Sequence, residues 1–182
     1  MTHIKVALGA GLVVVSPYLI VQLYGFVAPA LYEKEKRHAA PIIIWGTLLF
    51  MLGVLMNYFI IFPFAFRFLN EYQVYEEVKN QISLSSYISN LLMLSLLMGI
   101  LFEIPIVNHL LAKAGLLQAD TLKKYRRHAI VGIAIVAAVI TPTGDAVTLT
   151  LVTLPIYLLY EASILIVKRV QASEQPPDPK MS

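Results

Sequence analysis

The chain has 182 residues, 58% of them hydrophobic and only 14% charged, with a formal net charge of +3 and no cysteine. A soluble domain carries about one-quarter charged residues, and it is this scarcity together with the spacing of the charges that excludes a water-soluble enzyme. The lack of cysteine excludes a disulfide-stapled secreted domain and any zinc–thiolate site.

In chain order, uncharged runs lie between Lys5 and Glu33 and between His38 and Arg67. A third, from Lys79 to Lys113, is interrupted only by Glu103, and a fourth, from Arg127 to Lys168, only by His128, Asp145 and Glu161. About 20 apolar residues are needed to cross a hydrocarbon core of roughly 30 Å. These runs predict an all-α integral membrane protein with five transmembrane helices at 6–31, 39–66, 85–112, 129–141 and 146–167. They form one membrane domain over 1–168, with a disordered tail expected over 169–182. The first run is too long for the apolar part of a cleavable signal and has no small-residue cleavage pattern after it. The last two helices are separated only by Thr141-Pro142-Thr143-Gly144-Asp145, a tight turn. The fourth helix is short, which implies thinned lipid or a turn held below the surface.

Basic residues set the orientation. Lys34, Lys36 and Arg37, then Lys113, Lys123, Lys124, Arg126 and Arg127, then Lys168, Arg169 and Lys180 fall on one side, eleven of the 14. Lys5, Arg67 and Lys79 fall on the other. The 34–37 loop, the 113–127 stretch and the C-terminus are therefore expected in the cytoplasm, and the start of the chain outside. Nothing before Lys5 could carry that start across, so a helix upstream is implied. The positive charge thus follows membrane topology, and no nucleic-acid partner is expected.

Seven of the ten prolines (Pro17, Pro29, Pro41, Pro63, Pro105, Pro142 and Pro155) lie within or at the ends of these spans. Each removes a backbone donor, which favours kinked helices in a fixed, curved shape. Glu103 stands mid-span, where an ionisable side chain costs about 3 kcal/mol on insertion scales. It reads either as a structural carboxyl bonded to a neighbouring helix, or as a docking point for a partner helix or part of a proton or substrate path. Glu161 reads equally as a helix-pairing carboxylate or a functional one. Asp145 is an ordinary turn residue, and Asn57, Asn90, Asn108 and His109 are weaker helix-joining signals. The loop Tyr32-Glu33-Lys34-Glu35-Lys36-Arg37-His38 is a solvated membrane-edge anchor, or a pair of carboxylates able to receive guanidinium groups. The polar stretch 70–79 suits a short amphipathic cap on the outer surface. No nucleophile–base pair, metal cluster or phosphate loop is visible, so no enzyme, metal or cofactor is expected.

Several patterns then come in order. They are Phe26-Val27-Ala28-Pro29-Ala30-Leu31-Tyr32 with Glu35-Lys36-Arg37, then Phe102-Glu103-Ile104-Pro105, then Leu122-Lys123-Lys124-Tyr125-Arg126-Arg127. Thr141-Pro142 with Asp145 follows, and last Pro155 with Leu159-Tyr160-Glu161. From about Ile4 to Arg169 the chain resembles TatC, the multispanning subunit of the twin-arginine (Sec-independent) protein translocase. That family has six helices in a glove-like concave bundle with both termini cytoplasmic, so the resemblance implies that the first helix and the segment before it are absent here.

The resemblance implies a receptor, in the inner membrane of a bacterium or its archaeal or organellar counterpart, that binds twin-arginine signal peptides of folded cargo. Export would be driven by the proton-motive force. Glu35 matches the loop glutamate that meets the arginine pair, and Phe26 the aromatic beside it, with Lys36 and Arg37 in the same site. Glu103 matches the family's intramembrane glutamate, and with Pro105 and Thr148 it would dock single-span TatA- or TatB-type subunits. Pro29, Pro142, Asp145 and Glu161 match further family positions. A homo-oligomer and membrane lipid are the remaining expected partners. Thr143-Gly144 and Thr148-Leu149 depart from the family pattern, the latter where many members have Ser-Gln. A small proton-coupled secondary transporter using Glu103, or an assembly subunit without cargo of its own, are the competing functions; no internal repeat supports the transporter.

Overall fold

A long apolar run in lipid can satisfy its backbone only within itself, as a helix. A computed structural model describes residues 2–27, 39–71, 84–141 and 145–174, and among these there are helices and turns but no strand. The helices are α1 (Thr2–Val27), α2 (Ala39–Met56), α3 (Phe62–Glu71), α4 (Leu84–Phe102), α5 (Ile104–Lys113), α6 (Ala119–Lys124), α7 (Arg126–Ile140) and α8 (Ala146–Glu174). Three rods are long and apolar enough to cross a membrane: Pro41–Phe68, Leu84–Lys113 and Ala146–Ser173. The 15-residue α7 and the apolar stretch Val6–Ser16 of α1 are shorter.

Proline shapes two of the three rods. A π-helical turn, Asn57–Ile61, joins α2 to α3 just before Pro63, and its wider loop bonds the Phe62 N–H to the Asn57 carbonyl. A proline at 63 has no N–H for the carbonyl of Phe59 and crowds it, and a widened turn accommodates that clash. In the second rod Pro105 leaves the carbonyl of Leu101 without its usual donor. The chain tightens there: the Glu103 N–H reaches Ile100 (3.1 Å), and the Glu103 carbonyl receives Ile106 (2.9 Å) and Val107 (3.0 Å). Glu103 is thus the joint between α4 and α5.

The helices close through small residues, because lipid gives no hydrophobic drive for helices to meet and close backbone packing must supply it. A Cβ on Gly53 of α2 would stand 2.7 Å from the Met98 carbonyl oxygen of α4, and one on Gly99 would stand 2.7 Å from the Phe50 ring. α1 packs against both helices of this pair. Two apolar clusters form. One joins Ile61, Met98 and Phe102 to Ala137 of α7 and to Val152 and Ile156 of α8. The other gathers Ala112, Ala119 and Leu122 around Ile164, Val167 and Val170. Large side chains such as Leu48, Leu52, Val139, Leu154 and Leu165 remain exposed, as a surface solvated by acyl chains requires.

Residues 169–174, expected as the start of a disordered tail over 169–182, are helical, since α8 continues to Glu174; the rest of that tail lies outside the described residues. Val170 is buried among the residues of the second cluster, and the Gln171 side chain accepts the Ala119 N–H at 3.1 Å, capping α6. These contacts give residues 169–174 a reason to stay helical. Gly115, at φ 71°, closes α5. The Leu116 N–H reaches Leu111 (2.9 Å) and the Gly115 N–H reaches Ala112 (3.0 Å), a glycine-terminated helix end.

Candidate functional site

Burial selects Glu103. Its position at the α4–α5 joint leaves the residue only 7% exposed. Its Oε1 has no hydrogen-bond partner among the described residues. A buried, unmatched carboxyl oxygen costs about 1–3 kcal/mol, so its retention calls for a compensating use. Its chain neighbour Phe102 sits in the first apolar cluster with Val152 and Ile156 of α8, and its neighbour Pro105 is buried at the start of α5. Nearby elements bury more polar groups. Asn57, turned inward by the π-helical turn, donates to the Ser95 hydroxyl at 2.9 Å, while its Oδ1 is unmatched among the described residues. Thr148 of α8 is fully buried, with an Oγ1 that has no partner among the described residues. Carbonyl and hydroxyl oxygens held in this way can receive a donor from an incoming polar side chain or helix.

Glu161 is arranged differently. It lies two turns past Pro155 on α8 and faces the start of α7. Arg126 Nη2 donates to Glu161 Oε2 at 2.8 Å, and the Tyr157 hydroxyl donates to Oε1 at 2.9 Å. From the preceding residue, the Tyr160 hydroxyl donates to the Leu122 carbonyl at 2.8 Å. Both carboxylate oxygens are occupied: Oε2 joins α8 to the start of α7, and Oε1 is held by Tyr157 within α8. Of the two sequence readings of Glu161, the geometry matches helix pairing. Asp145 likewise has a structural duty: its Oδ2 accepts the Thr148 N–H at 2.7 Å, the geometry of an N-cap.

The predicted residues divide into two groups. Glu103, Pro105, Thr148, Asp145 and Glu161 fall among the described residues, and the first three are buried. Glu35, Lys36, Arg37, Pro29 and Pro142 lie outside the described residues, as does the side chain of Phe26, whose backbone belongs to α1. The polar stretch 70–79 is described only to Glu71, the end of α3. Three participants went unremarked in the sequence: Ser95, Arg126 as the partner of Glu161, and Gln171 as a cap. The Tyr157–Glu161 pair was available from its four-residue helical spacing, whereas Arg126 and Ser95 lie 35 and 38 residues from their partners. Among the described residues no group of three or more His, Asp or Glu could hold a metal ion.

The family model described as Sec-independent protein translocase protein (TatC) matches residues 1–155. The TatC of Helicobacter pylori strain J99 is 39% identical over 170 residues, covering 93% of this chain and 68% of that protein. The Aquifex aeolicus TatC is 39% identical over 166 residues, 91% of this chain and 68% of the relative. For the Escherichia coli K12 TatC the figures are 34% over 163 residues, 90% and 62%. The chain thus spans about two-thirds of the length of these relatives. A crystal structure of the twin-arginine translocase receptor TatC superposes with TM-score 0.75 at 38% identity, over 92% of this chain and 73% of that one. A second, in the detergent DDM, gives 0.76 at 39% identity, over 90% and 72%.

Proposed function

The chain belongs to the TatC family of Sec-independent protein translocase proteins, a family of membrane translocase subunits without catalytic activity, and from that premise we propose that it serves as a receptor for twin-arginine signal peptides. The support for a receptor role is its likeness to solved proteins described as the twin-arginine translocase receptor. In this reading Glu35 pairs with the arginines of the signal, since a guanidinium fork matches a carboxylate. Phe26, Lys36 and Arg37 complete the site, and Pro29 and Pro142 shape the spans on which it rests. The basic side of the chain, including the C-terminus, faces the cytoplasm. Five kinked spans form the concave bundle, and the proton-motive force drives export of the folded cargo.

Glu103 is the second element of the proposal. Its unmatched buried oxygen is the observation that carries it: it receives a polar group from a single-span TatA- or TatB-type partner helix, with Pro105 fixing the joint and Thr148 lining the approach. A photo-crosslinker placed at position 35 should form an adduct with a twin-arginine precursor and lose it when the arginine pair becomes a lysine pair. The same probe at position 103 should capture a partner helix. Adducts at 103 with none at 35 would replace the receptor role by that of an assembly subunit. Solute uptake into proteoliposomes, abolished by Glu103→Gln, would instead restore the transporter reading.

A further inference from the structure

The seam between α2 and α4 combines close packing with a buried polar contact. The packing is that of small residues: the Met98 carbonyl lies against Gly53, and the Phe50 ring against Gly99. Next to these, the fully buried Asn57 donates across the seam to the Ser95 hydroxyl at 2.9 Å. Other buried hydroxyls turn back on their own helix, Ser16 to the Val13 carbonyl at 2.7 Å and Ser163 to the Leu159 carbonyl at 2.8 Å. Ser95 instead takes a donor from the neighbouring rod. It stands one turn before Gly99 on the same face of α4, and Glu103 follows one turn after Gly99.

Packing alone does not set the height of α4 against α2. Ser95 and Gly99 are both small, so either can receive the Phe50 ring, and Gly53 can rest against the carbonyl of a neighbouring turn as well as that of Met98. A slip of one turn would carry Glu103 about 5.4 Å along the rod. The hydrogen bond, by contrast, forms in one register only. We propose that Asn57 and Ser95 are positioning residues, whose bond locks α4 against α2 and so sets the height at which Glu103 meets a partner helix. A single buried asparagine fixes the register of coiled coils in the same way, at a cost in stability. That cost is visible here in the Asn57 Oδ1, which is unmatched among the described residues. The use of the lock rests on the docking role of Glu103, while the lock itself can be read without a partner.

The chain has no cysteine, so nitroxides introduced through Leu52→Cys on α2 and Ile100→Cys on α4, both exposed positions, report a single distance. The labelled protein in detergent should give one narrow distance distribution. Asn57→Leu/Ser95→Ala in that background should add a second population, displaced by up to about 5 Å. Its thermal midpoint should hold or rise, because removing both partners of a buried bond is nearly neutral or stabilising. The exchanged pair Asn57→Ser/Ser95→Asn keeps the bond with its ends reversed and should restore the single population. Capture of a partner helix by a photo-crosslinker at position 103 should fall about threefold to tenfold in the apolar pair, the worth of one interhelical hydrogen bond in a membrane, and recover in the exchanged pair. A single unshifted population in the apolar pair overturns the lock, and capture undiminished by a shifted register overturns the positioning role. A shifted register in a protein that captures nothing at 103 even when unaltered supports the lock and overturns the docking role of Glu103 instead. Ser95→Ala alone, the milder change, decides the same comparison where the apolar pair does not fold.

Discussion

Two glutamates of the described helices, Glu103 and Glu161, sit in apolar rods and resolve the same physical problem in opposite ways. Glu161 brings its charge out to a helix corner, where Arg126 and Tyr157 occupy both of its oxygens. Glu103 is buried at a proline-made joint with Oε1 unmatched among the described residues. The first carboxylate is consumed by the fold. The second is left over by it, and a group that the fold does not use is available to a partner. In a membrane the distinction is sharper than in water, because no solvent is at hand to satisfy what the protein leaves open.

The comparison depends first on the bed in which Glu103 rests. Gly53→Leu would drive a side chain into the Met98 carbonyl, which is backbone and cannot swing aside. The α2–α4 crossing should open and the Glu103 joint with it, lowering stability by about 3 kcal/mol. Gly11→Leu, at a position with nothing within 4 Å of an added Cβ, is the control and should leave the thermal midpoint in detergent almost unchanged. Equal loss in both variants would mean that the crossing does not hold the joint.

The glutamates themselves should then respond with opposite signs. Glu103→Leu removes a buried carboxyl whose Oε1 is unmatched among the described residues and should raise stability by about 2 kcal/mol, while abolishing capture of a partner helix at the joint. Glu161→Leu leaves Arg126 and Tyr157 without their acceptor and should lower stability by about 1 kcal/mol. Thermal or denaturant unfolding in one detergent decides both. Destabilisation by both substitutions would show that Glu103 too is consumed by the fold.

The sequence carried the helical class, the three long rods and the anomaly at Glu103, because all three are written locally: apolar run length, proline position, and one carboxyl amid leucines. The joint itself follows from the two-residue spacing between Glu103 and Pro105. Long-range pairings were not legible. Nothing local in Arg126 says that it will meet Glu161 rather than water, and nothing in Asn57 says that a π-helical turn will aim it at Ser95. The extension of α8 to Glu174 was hidden for the same reason, since residues 169–174 look polar enough for a tail until Val170 and Gln171 find α6. Asp145 read as a turn residue, and its capping bond to Thr148 needed only the three-residue offset that N-caps use.

That cap gives a third carboxylate against which to sharpen the contrast. Asp145→Ala should destabilise α8 by about 1 kcal/mol, and Asp145→Asn, which retains an acceptor for the Thr148 N–H, should recover most of that. Equal losses from both would point to the charge rather than the hydrogen bond.

The smallest effect is the most specific one. Arg126 is 46% exposed and Glu161 29% in their side chains, so solvent screens the pair and its coupling should be modest. A double-mutant cycle with Arg126→Gln and Glu161→Gln should return about 0.5 kcal/mol of coupling, falling as salt is raised because the charges are partly in water. The Tyr157 bond to Oε1 survives in the glutamine variant, whose amide oxygen still accepts, so the cycle isolates the ionic part of the contact. A coupling several times larger and insensitive to salt would mean that Glu161 is desolvated as Glu103 is. The contrast between the two carboxylates would then lie in pairing alone and not in burial.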